Sequence, residues 1–182
     1  WGWSGNNNGY YLLHNLNPST YEFNSQQAAI IGVRVPQSVQ ACQGVDSLTD
    51  IDGNVYHTLQ VGQQCWMREN MRATHYADGT PIAASSDTSS TIPYRYAPNN
   101  DTSLVAKNGY LYNWPAAMGG SAPSTSSPSG VQGVCPTRWH LPSYSELRDL
   151  KHFMESQASY HCNDSDTSTA AAMCSTIGWH SS

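Results

Sequence analysis

From Asp50 to Asn70 apolar and polar residues alternate as a strand requires. Val55, His57, Leu59 and Val61 share one face at period two, with Tyr56, Thr58 and Gln60 opposite. Asp52-Gly53-Asn54 ahead of the run is turn chemistry, because Gly and Asn tolerate positive φ, and Gly62 turns the chain again. Cys65-Trp66-Met67 is then a short apolar run, closed by polar Arg68-Glu69-Asn70. The stretch predicts two short strands around tight turns, the nucleus of a sheet. Further strands read at residues 10–16, before Pro18, and 28–35, before Pro36. A glycine-rich start precedes the first, and residues 37–49 read as a linker without periodicity.

The period changes to a helical one at two places. Ser143 caps the first helix and Glu146 three residues later completes a capping box. Leu147, Leu150 and Met154 face inward there, while Arg148, Asp149 and Lys151 face water. The second helix starts near Ser165 or Asp166, carries Ala170, Met173, Cys174 and Ile177 on one face and ends at Gly178. Residues 85–91, 97–108 and 121–130 are polar loops. The last is a Ser/Thr/Pro-rich, mucin-like stretch that cannot pack a core and is expected outside.

The 182 residues make one domain or one and a half, able to bury roughly two thirds of the unfolded surface. Charged residues make up 12% of the chain, against about 25% in typical soluble domains. Polar but uncharged, rich in Ser, Thr, Asn, Gly and Tyr, the composition points outside the cell. A net charge of −5 argues against nucleic acid as a partner. No apolar run approaches the roughly 18 residues of a membrane helix, so no membrane span is expected. No signal peptide or pilin-type apolar helix is read at the start, as expected of a mature or trimmed chain.

The five cysteines, Cys42, Cys65, Cys135, Cys162 and Cys174, read as disulfides with one left over. Cys162 and Cys174 read as a local pair that pins the second helix to the loop before it. Such a bridge is worth roughly 3 kcal/mol in the chain-entropy model. Asn100-Asp-Thr and Asn163-Asp-Ser are glycosylation sequons, and Ser124, Thr125 and Ser126 are candidates for O-linked sugar. Asp50 and Asp52 suggest a calcium loop, but position twelve is Val61 where the bidentate Glu belongs. His161, Cys162, Cys174 and His180 fit no common zinc spacing. Trp139-His140 leads into the first helix, and His140 is expected buried and bonded to backbone. Trp66, Trp114, Trp139 and Trp179 read as core. No nucleophile with a paired base and no close carboxylate pair stands out, so neither a catalytic residue nor a cofactor or metal is expected.

Four blocks carry a resemblance. Asp50, Asp52, Gly53, Asn54, Tyr56, Thr58, Gly62, Gln64, Trp66, Met67, Glu69 and Asn70 fall on the pattern D-x-D-G-N-x-Y-x-T-x-x-x-G-x-Q-x-W-M-x-E-N. Tyr76-Ala-Asp-Gly-Thr-Pro-Ile82, Asn108-Gly-Tyr-Leu-Tyr-Asn-Trp114 and Cys135-Pro-Thr-Arg-Trp-His-Leu-Pro-Ser143 follow in order. Together they resemble the Fibrobacter succinogenes major paralogous domain family. The resemblance implies a bacterial surface or secreted protein, mostly without assigned activity. The implied fold is α+β, C-type-lectin-like, with twisted antiparallel sheets, two helices and long loops. It also implies a Cys65–Cys135 pair, since each begins a block beside a core tryptophan.

Residues 1–36 resemble the family's last segment, with Val35 where its closing cysteine stands. Its C-terminal strands thus come first here, and residues 50–182 hold the main part of the domain. A permuted single domain, a missing or tandem segment, and strands donated to a neighbouring chain all account for that order. In the donated form Tyr10, Leu12, Ile30, Val33 and Val35 are the assembly residues, and residues 37–49 the connector. The expected function is an extracellular structural subunit of a surface filament or pilus-like appendage, with copies of itself as partners. The alternative is a lectin-like adhesin that holds glycans. A remote one is kinship with formylglycine-generating enzymes.

Overall fold

The Gly-Asn turn at Asp52-Gly53-Asn54 and the turn at Gly62 produce the meander that the alternation predicts. The computed structural model describes residues 27–29, 33, 34, 42 and 44–158. In chain order the strands are β1 (Gln27–Ala29), β2 (Val33–Arg34), β3 (Ser47–Thr49), β4 (Val55–Val61), β5 (Gln64–Met67), β6 (Ala83–Ala84), β7 (Tyr94–Tyr96) and β8 (Leu111–Asn113). The helices are α1 (Val105–Asn108), α2 (Trp114–Met118) and α3 (Tyr144–Glu155). One sheet has the order β2-β5-β4-β3 and the other β1-β8-β7-β6; only β6 and β7 pair in parallel. The architecture is α+β.

Alternation along β4 and β5 sorts side chains between two cores. Thr58 lies opposite Met67 and Gln60 opposite Cys65, on the side where Tyr56 is fully buried. That side meets Met71, Ile82, Tyr112, Val134, Cys135 and Trp139 in the larger core. Leu59 lies opposite Trp66 on the other side, where Trp66 packs with Leu147, Leu150 and Met154 of α3. Fully burying such a leucine contributes roughly 1.5–3 kcal/mol. α3 is the helix its pattern predicts: Ser143 Oγ accepts from the Glu146 N–H, and the Glu146 carboxylate accepts from the Ser143 N–H. Two sites leave no room for a side chain. A Cβ on Gly133, at φ +53°, would stand 2.1 Å from the Ala117 carbonyl oxygen, and one on Gly109 2.6 Å from Asn70 Cβ. The second expected helix lies outside the described residues.

Two expectations are corrected. β1 pairs with β8 and β2 with β5, so these strands complete sheets of their own chain. That pairing replaces donation to a neighbour: without β1 and β2, β8 and β5 would each present an open edge, and the same chain supplies the partner for its N–H and C=O groups. Val33, an expected assembly residue, stands opposite Trp66 in that ladder; Tyr10, Leu12, Ile30 and Val35 lie outside the described residues. Residues 47–49, read as linker, form β3, because Asp46 and Asn54 carbonyls take the Thr58 and Asp50 N–H groups and hold the stretch against β4.

Candidate functional site

Three carboxylates organise the turns and loops around the sheet nucleus. Asp50 Oδ1 accepts from the N–H groups of Asp52 (3.0 Å) and Asn54 (2.8 Å). Its Oδ2 accepts from Asn54 Nδ2 (2.9 Å) and the Tyr56 hydroxyl (2.7 Å), which itself accepts from the Arg72 N–H (2.9 Å). Burial, and then the bond to Asp50, push the Tyr56 phenol well above its ordinary range. The turn is thus closed on its own donors.

Asp52 ties that turn to the next segment. Its Oδ2 accepts from the N–H groups of Thr74 (2.5 Å) and His75 (3.1 Å), and its Oδ1 from His75 Nδ1 (2.5 Å). Partial burial raises the Asp52 pKa, but the donors from Thr74 and His75 outweigh it and hold the carboxyl below its ordinary range. Glu146 is the third. Its Oε1 accepts from His140 Nε2 (2.7 Å), and its Oε2 from the N–H groups of Ser143 (2.9 Å) and Ser129 (3.1 Å). Gln64 Nε2 reaches the Glu146 carbonyl at 2.9 Å. One fully buried carboxylate therefore joins the loop before Val131, the chain leading into α3 and the helix itself.

The β2-β5-β4-β3 sheet keeps one half-open face. α3 covers it at Trp66, with Val61 and Phe153 packed alongside. Further along β4, Val55 is 45% and Leu59 53% exposed, and Ile51 in the adjoining turn is 55% exposed. Between them His57 Nδ1 and its backbone N–H both donate to Glu69 (2.8 and 2.7 Å). Apolar residues flanking a surface hydrogen-bonded pair can associate with another apolar surface.

The expected site residues fall in different places. Cys65 is bonded to Cys42, Cα to Cα 5.0 Å, and Cys135 is a buried free thiol that burial pushes far above its ordinary range. This corrects the Cys65–Cys135 pair. A bridge needs Cα atoms within roughly 4.4–6.8 Å, and the segment leading into β3 carries Cys42 to that distance. Cys162 and Cys174, like Asn163, lie outside the described residues. Asn100 is exposed at φ +57° in a 3-10 turn. Ser124 is half-buried, and Thr125 and Ser126 are exposed. His140 is buried, but its partner is the Glu146 carboxylate rather than backbone. Trp66 and Trp139 are core; Trp114 is half-buried, and Trp179 lies outside the described residues. The Asp52–His75 and Glu146–Ser129 contacts were missed: partners 23 and 17 residues apart leave no local signal. Among the described residues no group of three or more metal-binding side chains gathers, and no helix is long and apolar enough to cross a membrane.

Compared with known proteins, the chain matches the family model of the Fibrobacter succinogenes major domain over residues 59–180 and belongs to that family. No curated protein and no solved structure matches it.

Proposed function

From that membership we infer an extracellular structural domain, the subunit of a surface filament or pilus-like appendage built from copies of itself. One observation supports the reading: the half-open sheet face, where Val55 and Leu59 stand exposed beside the end that α3 covers. Exposed apolar rows are unfavourable in water until a partner covers them. β1 and β2 pair within the chain, so contact between copies runs over this face rather than through exchanged strands. The Cys42–Cys65 bridge fits an oxidising, extracellular compartment. The role is assembly, without catalysis and without a cofactor.

The test is light scattering and negative-stain microscopy of the wild-type chain and of Leu59→Asp. Oligomers or filaments that the aspartate dissolves, with unfolding unchanged, support the reading. Wild-type monomers at all accessible concentrations overturn it. Monomers that bind a glycan array establish the adhesin instead.

A further inference from the structure

No Asp, Glu, Lys, Arg or His stands between Lys107 and Arg138. Within that uncharged stretch, residues 121–130 leave α2 and cross the surface to the lead of α3. The loop is tied down at several points. The Ser121 N–H donates to the Met118 carbonyl, and Ser145 Oγ donates to the Thr125 carbonyl at 3.1 Å. The Ser129 N–H donates to the fully buried Glu146 carboxylate, and Ser129 Oγ to the Leu141 carbonyl. The hydroxyls of Ser124 and Ser129 are occupied: Ser124 Oγ accepts from the Ser126 N–H, and Ser129 Oγ from the Val131 N–H. Thr125, Ser126 and Ser127 differ. All three are exposed, and among the described residues no hydrogen bond engages their hydroxyls. A buried carboxylate thus holds the loop's backbone, while three consecutive hydroxyls have no partner among the described residues.

The other Ser/Thr-rich loop, residues 85–92, is held differently. Asn113 Nδ2 grips the Ser89 and Ile92 carbonyls, and the Tyr96 hydroxyl grips that of Asp87. Ser85 and Ser89 hydroxyls cap its turns. Ser86, Thr88, Ser90 and Thr91 are exposed there too, but this loop carries the charge of Asp87, and its backbone is drawn onto the sheet.

We propose that Thr125, Ser126 and Ser127 form an acceptor site for O-linked glycosylation, independent of the assembly reading. In the step, a hydroxyl oxygen attacks the anomeric carbon of a sugar carried on a nucleotide or lipid phosphate. The new C–O bond forms as the bond to phosphate breaks. The phosphate leaves with the electron pair, and the hydroxyl proton passes to a base of the transferase. The sugar then hydrates a loop that carries no charge of its own.

Trypsin separates the candidates. The arginines and lysines place residues 73–95, 96–107 and 108–138 in three peptides, holding the Ser85 loop, the Asn100 sequon and the Thr125 loop. Mass spectrometry of protein from its native source is expected to show hexose-scale additions on 108–138. Electron-transfer fragmentation is expected to place them on residues 125–127. The triple variant Thr125→Val, Ser126→Ala, Ser127→Ala, made in the same host, should lose the added mass and unfold at the wild-type temperature, since no hydrogen bond among the described residues is removed. An unmodified 108–138 peptide overturns the proposal, as does sugar confined to 73–95 or 96–107.

Discussion

Glu146 and Asp52 are built to one plan and placed in opposite surroundings. Each takes an imidazole N–H on one oxygen and two backbone N–H groups on the other. Each joins segments distant in sequence. The Glu146 side chain is fully buried and that of His140 11% exposed, whereas Asp52 is 15% and His75 42% exposed. Water can replace the partners of Asp52 when they are lost; it cannot easily reach those of Glu146. The same set of hydrogen bonds therefore sets a loop's position firmly where water is excluded and only trims it where water reaches.

The largest effect is expected at the buried hub. Glu146→Ala leaves His140 and the Ser129 and Ser143 N–H groups without their partner and should cost roughly 3–5 kcal/mol in urea unfolding. A loss below about 1 kcal/mol would break the comparison. Asp50, 8% exposed, lies between the extremes. Tyr56→Phe removes the hydroxyl that donates to Asp50 and accepts from Arg72, and a loss of about 1–3 kcal/mol is expected by the same measurement.

Asp52→Asn keeps the shape but weakens three accepted bonds, and solvent screening limits its cost to about 1 kcal/mol at neutral pH. This difference should depend on pH. The folded-state pKa of Asp52 is depressed, so its contribution is present above the unfolded value near 4. It is lost as pH falls through the lower folded value. Unfolding curves of wild type and Asp52→Asn from pH 6 down to pH 3 should therefore converge. A gap that widens on acidification would show that Asp52 is not held as its donors imply. The smallest effect is expected at Glu69, whose imidazole partner His57 is 60% exposed. Glu69→Gln should cost under about 1 kcal/mol, and less still in high salt. A cost equal to that of Asp52→Asn would remove exposure as the ordering principle.

Several elements were legible because their causes are local. The capping box at Ser143 and Glu146 needs only residues three apart, and α3 starts there. Period-two alternation and Gly53, at φ +82°, produce the β3–β4 turn and β4 in the expected place. The same alternation placed Tyr56 and Val55 on opposite faces, yet not which of them is buried, because that depends on the Met71 and Tyr112 side chains that meet Tyr56. The short α2 was not read: Pro115 follows its first residue, and its start is set by Asn113, whose side chain accepts from the Ala116 N–H.

The family, the α+β class, the meander and the capped helix were all readable along the chain, since each follows from residue type at short spacing. The tertiary structure alone decided the partner of Cys65, the closure of β1 and β2 on their own chain, and the partners of His140 and Asp52. These are contacts across long stretches of chain. Composition makes several partners chemically acceptable, and the packing of the two sheets and α3 selects the one that comes within bonding distance.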